Sequence, residues 1–149
     1  MQAKEMAMRY GLSPHEEKGS YLERHYPYDG DGRAASGSIY YYVAPGERTD
    51  FHRIDCDEYW CYNVGAPLEV WQIDAEGKLI VSRLGIEEGC EPLLYLPAGT
   101  VFASRHGGQV SDGTFITCIT VPRFCYDGFT LLSREEAENL CPEAGAFFA

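Results

Sequence analysis

The chain has 149 residues, with 23 Asp and Glu against 12 Lys and Arg, and a net charge of −11. That is enough for one domain, 1–149, with a core of its own, but the charge is wrong for gripping a nucleic acid backbone or an anionic membrane. No apolar run approaches the length of a bilayer span and the start, MQAKEMAMRYG, lacks a signal-peptide core, so a cytoplasmic protein is expected.

Residues 2–10, QAKEMAMRY, are rich in helix formers, and Gly11 supplies a stop. The pattern then turns to a loop, a short strand near Ser20–His25 and a Gly/Asp turn at Asp29–Gly32. Strands are read at Ser38–Ala44, Phe51–Ile54, Glu58–Val64, Leu68–Asp74, Leu79–Leu84, Pro92–Leu96, Val101–Ser104 and Thr114–Val121. Turn chemistry separates them: PGE, GAP, AEGK, EEG, PAG, GGQ and SDG. This spacing of short strands predicts a closed antiparallel barrel or sandwich. In SREEAENLCPE, Ser133 with Glu136 makes a capping box and Pro142 a terminator, so a short last helix follows.

The cysteines, Cys56, Cys61, Cys90, Cys118, Cys125 and Cys141, form no C-x-x-C and no zinc-finger spacing. They read as reduced thiols packed as small hydrophobes.

The densest chemistry lies in FHRIDCDEYWCYNVG, residues 51–65. Side chains alternate across a strand, so His52 and Ile54 share one face, and so do Glu58, Trp60 and Tyr62. Gly46 precedes His52 by six positions, Glu58 lies four beyond Ile54, and Gly65 seven beyond Glu58. This resembles the first motif of the cupin superfamily, G-x5-H-x-H-x3-E-x6-G, with Ile54 in place of the second histidine. Pro97, Ala98 and Gly99 are similar to the start of the second motif, P-x-G-x2-H-x3-N, but Phe102 replaces its histidine and His106 its asparagine. A fuller resemblance, along nearly the whole chain, is to the uncharacterised branch known as cupin family five. It runs from Pro14, His15, Glu17 and Gly19, with Glu23, through SIYYYVAPGE, FHRIDCDEYW, GAPLEV and LPAG to VPRFCYDGFTLL. Members of that branch carry tryptophan at the Phe102 position and histidine at the Cys61 position, and this chain departs at both.

The resemblance implies an all-β, antiparallel double-stranded β-helix, the jelly-roll cupin barrel, with short N- and C-terminal helices and inward-facing motif residues. A barrel of that size holds side chains or one small ligand. His52 and Glu58 are then the candidate catalytic pair, able to tune each other's pKa and act as acid and base. Glu23, Tyr40, Tyr42, Trp60, Tyr62 and Phe102 are candidate ligand contacts, and Tyr41, of opposite parity to Tyr40 and Tyr42, is placed on the outer side. A metal would have only His52, Glu58 and His106 to draw on, because Ile54 and Phe102 have no lone pair, so no cofactor is expected; a divalent transition metal is the alternative.

Three functions fit these residues. The first is a small-molecule-binding cupin, working as a metal-independent isomerase or epimerase on a sugar-like or nucleotide-linked ligand. The superfamily includes epimerases that use a histidine base and a tyrosine acid. The second is a non-catalytic metabolite sensor. The third is a metal-dependent dioxygenase or isomerase. The bland alternative is a buried His52–Glu58 hydrogen-bonded pair, and for Glu23 an ion pair with Arg24 or Arg33. The tyrosine-rich edge and the resemblance suggest a homodimer.

Overall fold

The computed structural model describes residues 2–27 and 32–149. The turn read at Asp29–Gly32 therefore falls, except for Gly32, outside the described residues. Helix α1 (Ala3–Tyr10) ends on Gly11, which adopts the left-handed conformation, φ 64°, and returns its N–H to the carbonyls of Ala7 and Met8. The strands follow as β1 (Ser13–Pro14), β2 (Ser20–His25), β3 (Gly37–Val43), β4 (His52–Arg53), β5 (Asp57–Gly65), β6 (Leu68–Ile73), β7 (Leu79–Leu84), β8 (Leu93–Leu96), β9 (Val101–Arg105), β10 (Thr114–Val121) and β11 (Thr130–Leu131). Helix α2 (Arg134–Leu140) begins at the Ser133/Glu136 capping box. The α-helix ends at Leu140, ahead of Pro142 as expected, and Pro142 then opens a 3-10 segment, Pro142–Phe148, in which its missing N–H costs nothing at the first position.

Among the described residues the strands form two antiparallel sheets. One has six strands in the order β1-β2-β3-β10-β5-β8, the other five in the order β11-β4-β9-β6-β7. Their facing sides enclose a core that includes Tyr41, Val43, Trp60, Leu68, Val70, Leu84, Phe102, Ile116 and Cys118. The outer faces are also covered. Ala3, Met6, Ala7 and Tyr10 of α1 pack with Tyr40, Tyr42 and Phe115 over the six-stranded sheet. Phe51, Trp71, Ile73 and Val101 are covered by Ala137, Cys141, Ala144 and Phe147 from the C-terminal helices. Apolar clusters thus lie between the two sheets and on both of their outer faces.

The covering helix decides the parity of the tyrosine run. Strand β3 pairs with β10 so that Tyr41 lies opposite Ile116 and Ile39 opposite Cys118, all facing inward. Tyr41 is 2 % exposed. Tyr40 and Tyr42 face outward beneath α1, where the Tyr40 ring meets Tyr10 at 4.9 Å and Phe115 at 5.4 Å. The placement of Tyr41 outside and of Tyr40 and Tyr42 inside is corrected: the outer face of this sheet is as apolar as the inner one, so alternation of polarity could not choose between them.

Candidate functional site

The site is assembled from a turn, a two-residue strand and two long strands. The turn after β1 closes where Lys18 N–H donates to the His15 carbonyl and His15 N–H to the Gly19 carbonyl. Lys18 and Gly19 both take positive φ, 74° and 71°. A side chain at Gly19 would collide with the Tyr41 hydroxyl, so only glycine lets Tyr41 reach the Lys18 carbonyl, to which it donates at 2.7 Å. The Asp50 N–H donates to the Glu17 carbonyl at 2.7 Å and ties the turn to the segment entering β4. Glu17 and His52 are thereby brought face to face.

His52 is 1 % exposed and packs on Phe102, its neighbour across β9, at 4.2 Å between ring centroids. Its Nδ1 lies 2.8 Å from the Asp50 carbonyl oxygen, which can only accept, so Nδ1 carries the proton and Nε2 is left as an acceptor in the neutral ring. Nε2 lies 3.1 Å from Glu17 Oε2. Burial pushes His52 down to about 4, with the opposing Asp50 bond smaller. Burial, then the nearby Glu58 charge, raises Glu17 well above the ordinary carboxylate range. Both shifts favour a neutral pair in which the Glu17 carboxyl donates to Nε2. His15, also lowered to about 4 by burial, places Nδ1 3.3 Å from Glu17 Oε1 and accepts the Glu17 N–H at 3.2 Å. Its ring is held by Tyr21 at 4.8 Å, Phe124 at 6.0 Å and Tyr126 at 6.2 Å.

Glu58 is 7 % exposed, opposite Thr120 on β10 and Leu96 on β8. Among the described residues nothing makes a hydrogen bond of sound geometry to its carboxyl. Burial raises it to about 7; the Trp60 indole N–H opposes this in part, yet is itself left without a partner. Glu17, His52 and Glu58 line one cavity of about 180 Å³, together with His15, Tyr21, Glu23, Ile54, Cys118, Thr120 and Arg123. At the mouth the Arg123 guanidinium sits 2.6 Å from Glu23 Oε1 and 3.8 Å from the Tyr26 ring centroid. Arg33 pairs instead with Asp55 at 2.9 Å, and Arg24 lies over Tyr40 at 5.0 Å, so neither is the partner of Glu23.

Of the candidates read from the sequence, His52, Glu58 and Glu23 meet in this cavity. Tyr40 and Tyr42 lie across the sheet under α1. Trp60 and Phe102 are core beneath the cavity, their rings 5.8 Å apart, and neither lines it. Tyr62 donates to the Gly65 carbonyl at 2.6 Å, further along β5. His106 lies in a different groove with Arg48 and Arg105, its Nε2 2.9 Å from Thr114 Oγ1. His52 and Glu58 are not hydrogen-bonded to one another; Glu17 takes that place. Glu17, His15, Tyr21, Arg123, Phe124 and Tyr126 were missed as site residues. For His15 and Glu17 the signal was present as PH-x-E-x-G, whose alternate polar residues point one way if the turn is tight.

The sequence matches the family described as Cupin superfamily (DUF985) over residues 4–132. The chain belongs to the cupin superfamily. Among solved structures, this cupin is similar to a protein from Shewanella oneidensis, 28% identical, covering 98% of this chain and 94% of that one with a TM-score of 0.88. It is similar also to a hypothetical protein from Leishmania major, 25% identical over 98% and 96% of the two chains, TM-score 0.83. Oxalate decarboxylase from Bacillus subtilis shares the fold alone: TM-score 0.63 at 14% identity, over 100% of this chain and 36% of that one. No curated protein matches the chain.

The ligand positions of a metal-binding cupin correspond here to His52, Ile54, Glu58 and Phe102. These do not make a ligand set. Ile54 and Phe102 have no donor atom, and both ring nitrogens of His52 are engaged, by the Asp50 carbonyl and by Glu17. Among the described residues no group of three or more His, Cys, Asp or Glu side chains is arranged to hold a metal ion.

Proposed function

We propose that this cupin binds a small organic ligand in the Glu17–His52–Glu58 cavity and transfers a proton to or from it without a metal. The observation that supports this is the convergence of two carboxyls and a tautomer-fixed histidine on one cavity, with Glu58 held near pH 7 by burial. A group that gains and loses its proton near working pH is an efficient acid and base. Ionised Glu58 takes a proton from an acidic C–H of the ligand. Glu17, whose proton lies against His52 Nε2, is the second proton store, and His52 accepts that proton when Glu17 is called on as a base. The Asp50 carbonyl keeps Nε2 aimed at Glu17 throughout.

Size narrows the ligand. A cavity of 150 Å³ holds benzene, so about 180 Å³ suits one six-membered ring or a short polar chain. Arg123 is already paired with Glu23, which gives a phosphate no free guanidinium, so a sugar-like ligand, amino sugars included, fits better than a nucleotide-linked one. The test is a thermal-shift screen of unphosphorylated monosaccharides and related small metabolites. NMR in D2O then follows deuterium entering any hit. Glu58→Gln is expected to retain binding and to lower exchange at least about a hundredfold, the usual loss with a general base. Exchange that persists in that variant would remove Glu58 from its role, and binding with no exchange in the wild type would leave a sensor.

A further inference from the structure

We infer that the ligand of this cavity is a small organic cation whose ammonium group pairs with Glu58; this rests on the small-molecule reading given above. The lining carries three carboxyls, Glu17, Glu23 and Glu58, against one guanidinium, Arg123. Arg123 is taken by Glu23 and by the Tyr26 ring. His15 and His52 are neutral above about pH 4, because burial disfavours their charged forms. The floor thus holds two carboxyls and no counter-charge.

Partner by partner, the floor is satisfied except at one group. Glu17 has His52, His15 has the Glu17 N–H, His52 has Asp50 and Glu17, and Thr120 accepts the Phe124 N–H at 3.0 Å. Glu58 is 7 % exposed, lines the cavity, and among the described residues has no hydrogen bond of sound geometry and no counter-charge, the Trp60 indole N–H being near but unbonded. A buried carboxyl without a donor is costly and is resolved by keeping its proton or by a cation. An anionic ligand would face the Glu58 charge with no cation on the floor to offset it. A neutral ligand would leave Glu58 uncompensated once ionised. An ammonium supplies the missing charge, and three N–H donors with it. The chain's net charge of −11 draws cations toward the molecule in the same sense.

The proton balance sets the pH dependence. Below about pH 7 Glu58 keeps its proton, so an incoming ammonium must displace it: R–NH3+ and Glu58–COOH give the ion pair and one free proton. Facing Glu58 are Glu17 and His15 from the turn, His52 from β4, Tyr41 from β3, Cys118 and Thr120 from β10 and Trp60 from its own strand, with Glu23 and Arg123 at the mouth. The thiol of Cys118 and the phenol of Tyr41 are raised by burial and stay neutral, and Glu17 would be lowered by the ammonium in the same direction as Glu58. Affinity for the cation therefore rises with pH and levels off above 7.

Calorimetry of the purified chain, with chelator present, tests this on three probes of one shape: cyclohexylamine, cyclohexanol and cyclohexanecarboxylate. At pH 8 the amine is expected to bind at least about tenfold tighter than the alcohol, and the carboxylate to give no heat. The amine's affinity is expected to fall about tenfold between pH 8 and pH 6, the loss set by one proton, and Glu58→Gln to remove both the preference and the pH dependence. Carboxyl NMR of the wild type, which needs no variant, is expected to show Glu58 titrating lower when the amine is present. Equal binding of amine and alcohol, tighter binding of the carboxylate, no heat from any probe, or an unmoved Glu58 titration would each overturn the inference. None of those results bears on deuterium exchange into another ligand. Conversely, amine binding without any exchange would sink the proton-transfer reading and leave this one standing.

Discussion

Strand β5 places Glu58 and Trp60 on one face, two residues apart, at 7 % and 1 % exposure. Trp60 meets Tyr41 at 6.0 Å and Phe102 at 5.8 Å in a filled part of the core, whereas Glu58 faces a cavity and finds no hydrogen bond of sound geometry among the described residues. The same strand, register and burial thus end in a satisfied hydrophobic contact at one position and an unbalanced carboxyl at the next. The difference teaches where to look for function. Apolar packing closes around the Trp60 ring, whereas the carboxyl of Glu58 is left without a counter-charge, and such an imbalance persists where a site needs it. The filled side is also what fixes the other: Phe102 backs the His52 ring at 4.2 Å, so the cavity's geometry is set by apolar packing beneath it.

The largest effect lies on the filled side. Trp60→Ala leaves a void ringed by Tyr41 and Phe102 and is expected to cost about 3–5 kcal/mol in urea denaturation. A loss below about 1 kcal/mol would mean the core collapses around the gap, and the contrast with Glu58 would lose its force.

The second prediction isolates Glu58. Its folded pKa of about 7 lies above the value of 4.5 for a free glutamate. The folded state therefore holds a proton that the unfolded chain releases, so the stabilisation is complete below pH 4.5 and is lost as pH rises through 7. The shift corresponds to about 3 kcal/mol. His15 and His52, lowered to about 4, act oppositely: they destabilise as pH falls from 6.5 toward 4. The two trends overlap in the wild type. Subtracting the stability of Glu58→Gln at each pH removes the histidines, and the difference is expected to fall by about 3 kcal/mol between pH 4.5 and pH 8. A flat difference would place Glu58 in contact with solvent.

The strand succession from Ser20–His25 to Thr114–Val121 was legible because each strand is bounded by turn residues and the inward positions carry large apolar side chains. The two-residue strands β1 and β11 were not, since neither carries the apolar positions that mark Phe51–Ile54 around the equally short β4. The half of the site on regular strands was legible too: His52 and Glu58 follow from alternation. The other half was hidden for two physical reasons. Glu17 reaches His52 only through a turn whose closure depends on positive φ at Lys18, a residue that does not advertise it. Arg123 reaches Glu23 across 100 positions of sequence, and charge patterning near Glu23 pointed to Arg24 and Arg33. Tyr40 and Tyr42 were misplaced because α1 makes the outside of the sheet apolar as well.

The third prediction probes the charge state of the Glu17–His52 pair. Glu17→Ala leaves His52 Nε2 buried without a donor and is expected to cost about 1–3 kcal/mol, read by denaturation at pH 7. Glu17→Gln restores a donor but no charge. Recovery of most of the loss identifies a neutral hydrogen bond, in which the carboxyl donates. No recovery would identify an ion pair, with His52 protonated at neutral pH against the direction its burial imposes.

The smallest effect is expected at the mouth, where Arg123 and Glu23 form the shortest of the site's ion pairs, 2.6 Å. Length is a poor guide here. Their side chains are 34% and 39% exposed, so water competes for both groups and ordinary salt screens them. Arg123→Ala is expected to change stability by less than about 1 kcal/mol, and less still at high salt, because its loss leaves Glu23 solvated rather than stranded. The floor behaves otherwise: Glu58 is 7 % exposed with no counter-charge beside it, so its charge has to be met by a proton or by a ligand. If Arg123→Ala instead costs as much as Glu17→Ala, the mouth is as dry as the floor, and the carboxyl of Glu23 joins Glu17 and Glu58 in the unbalanced charge that the cavity presents.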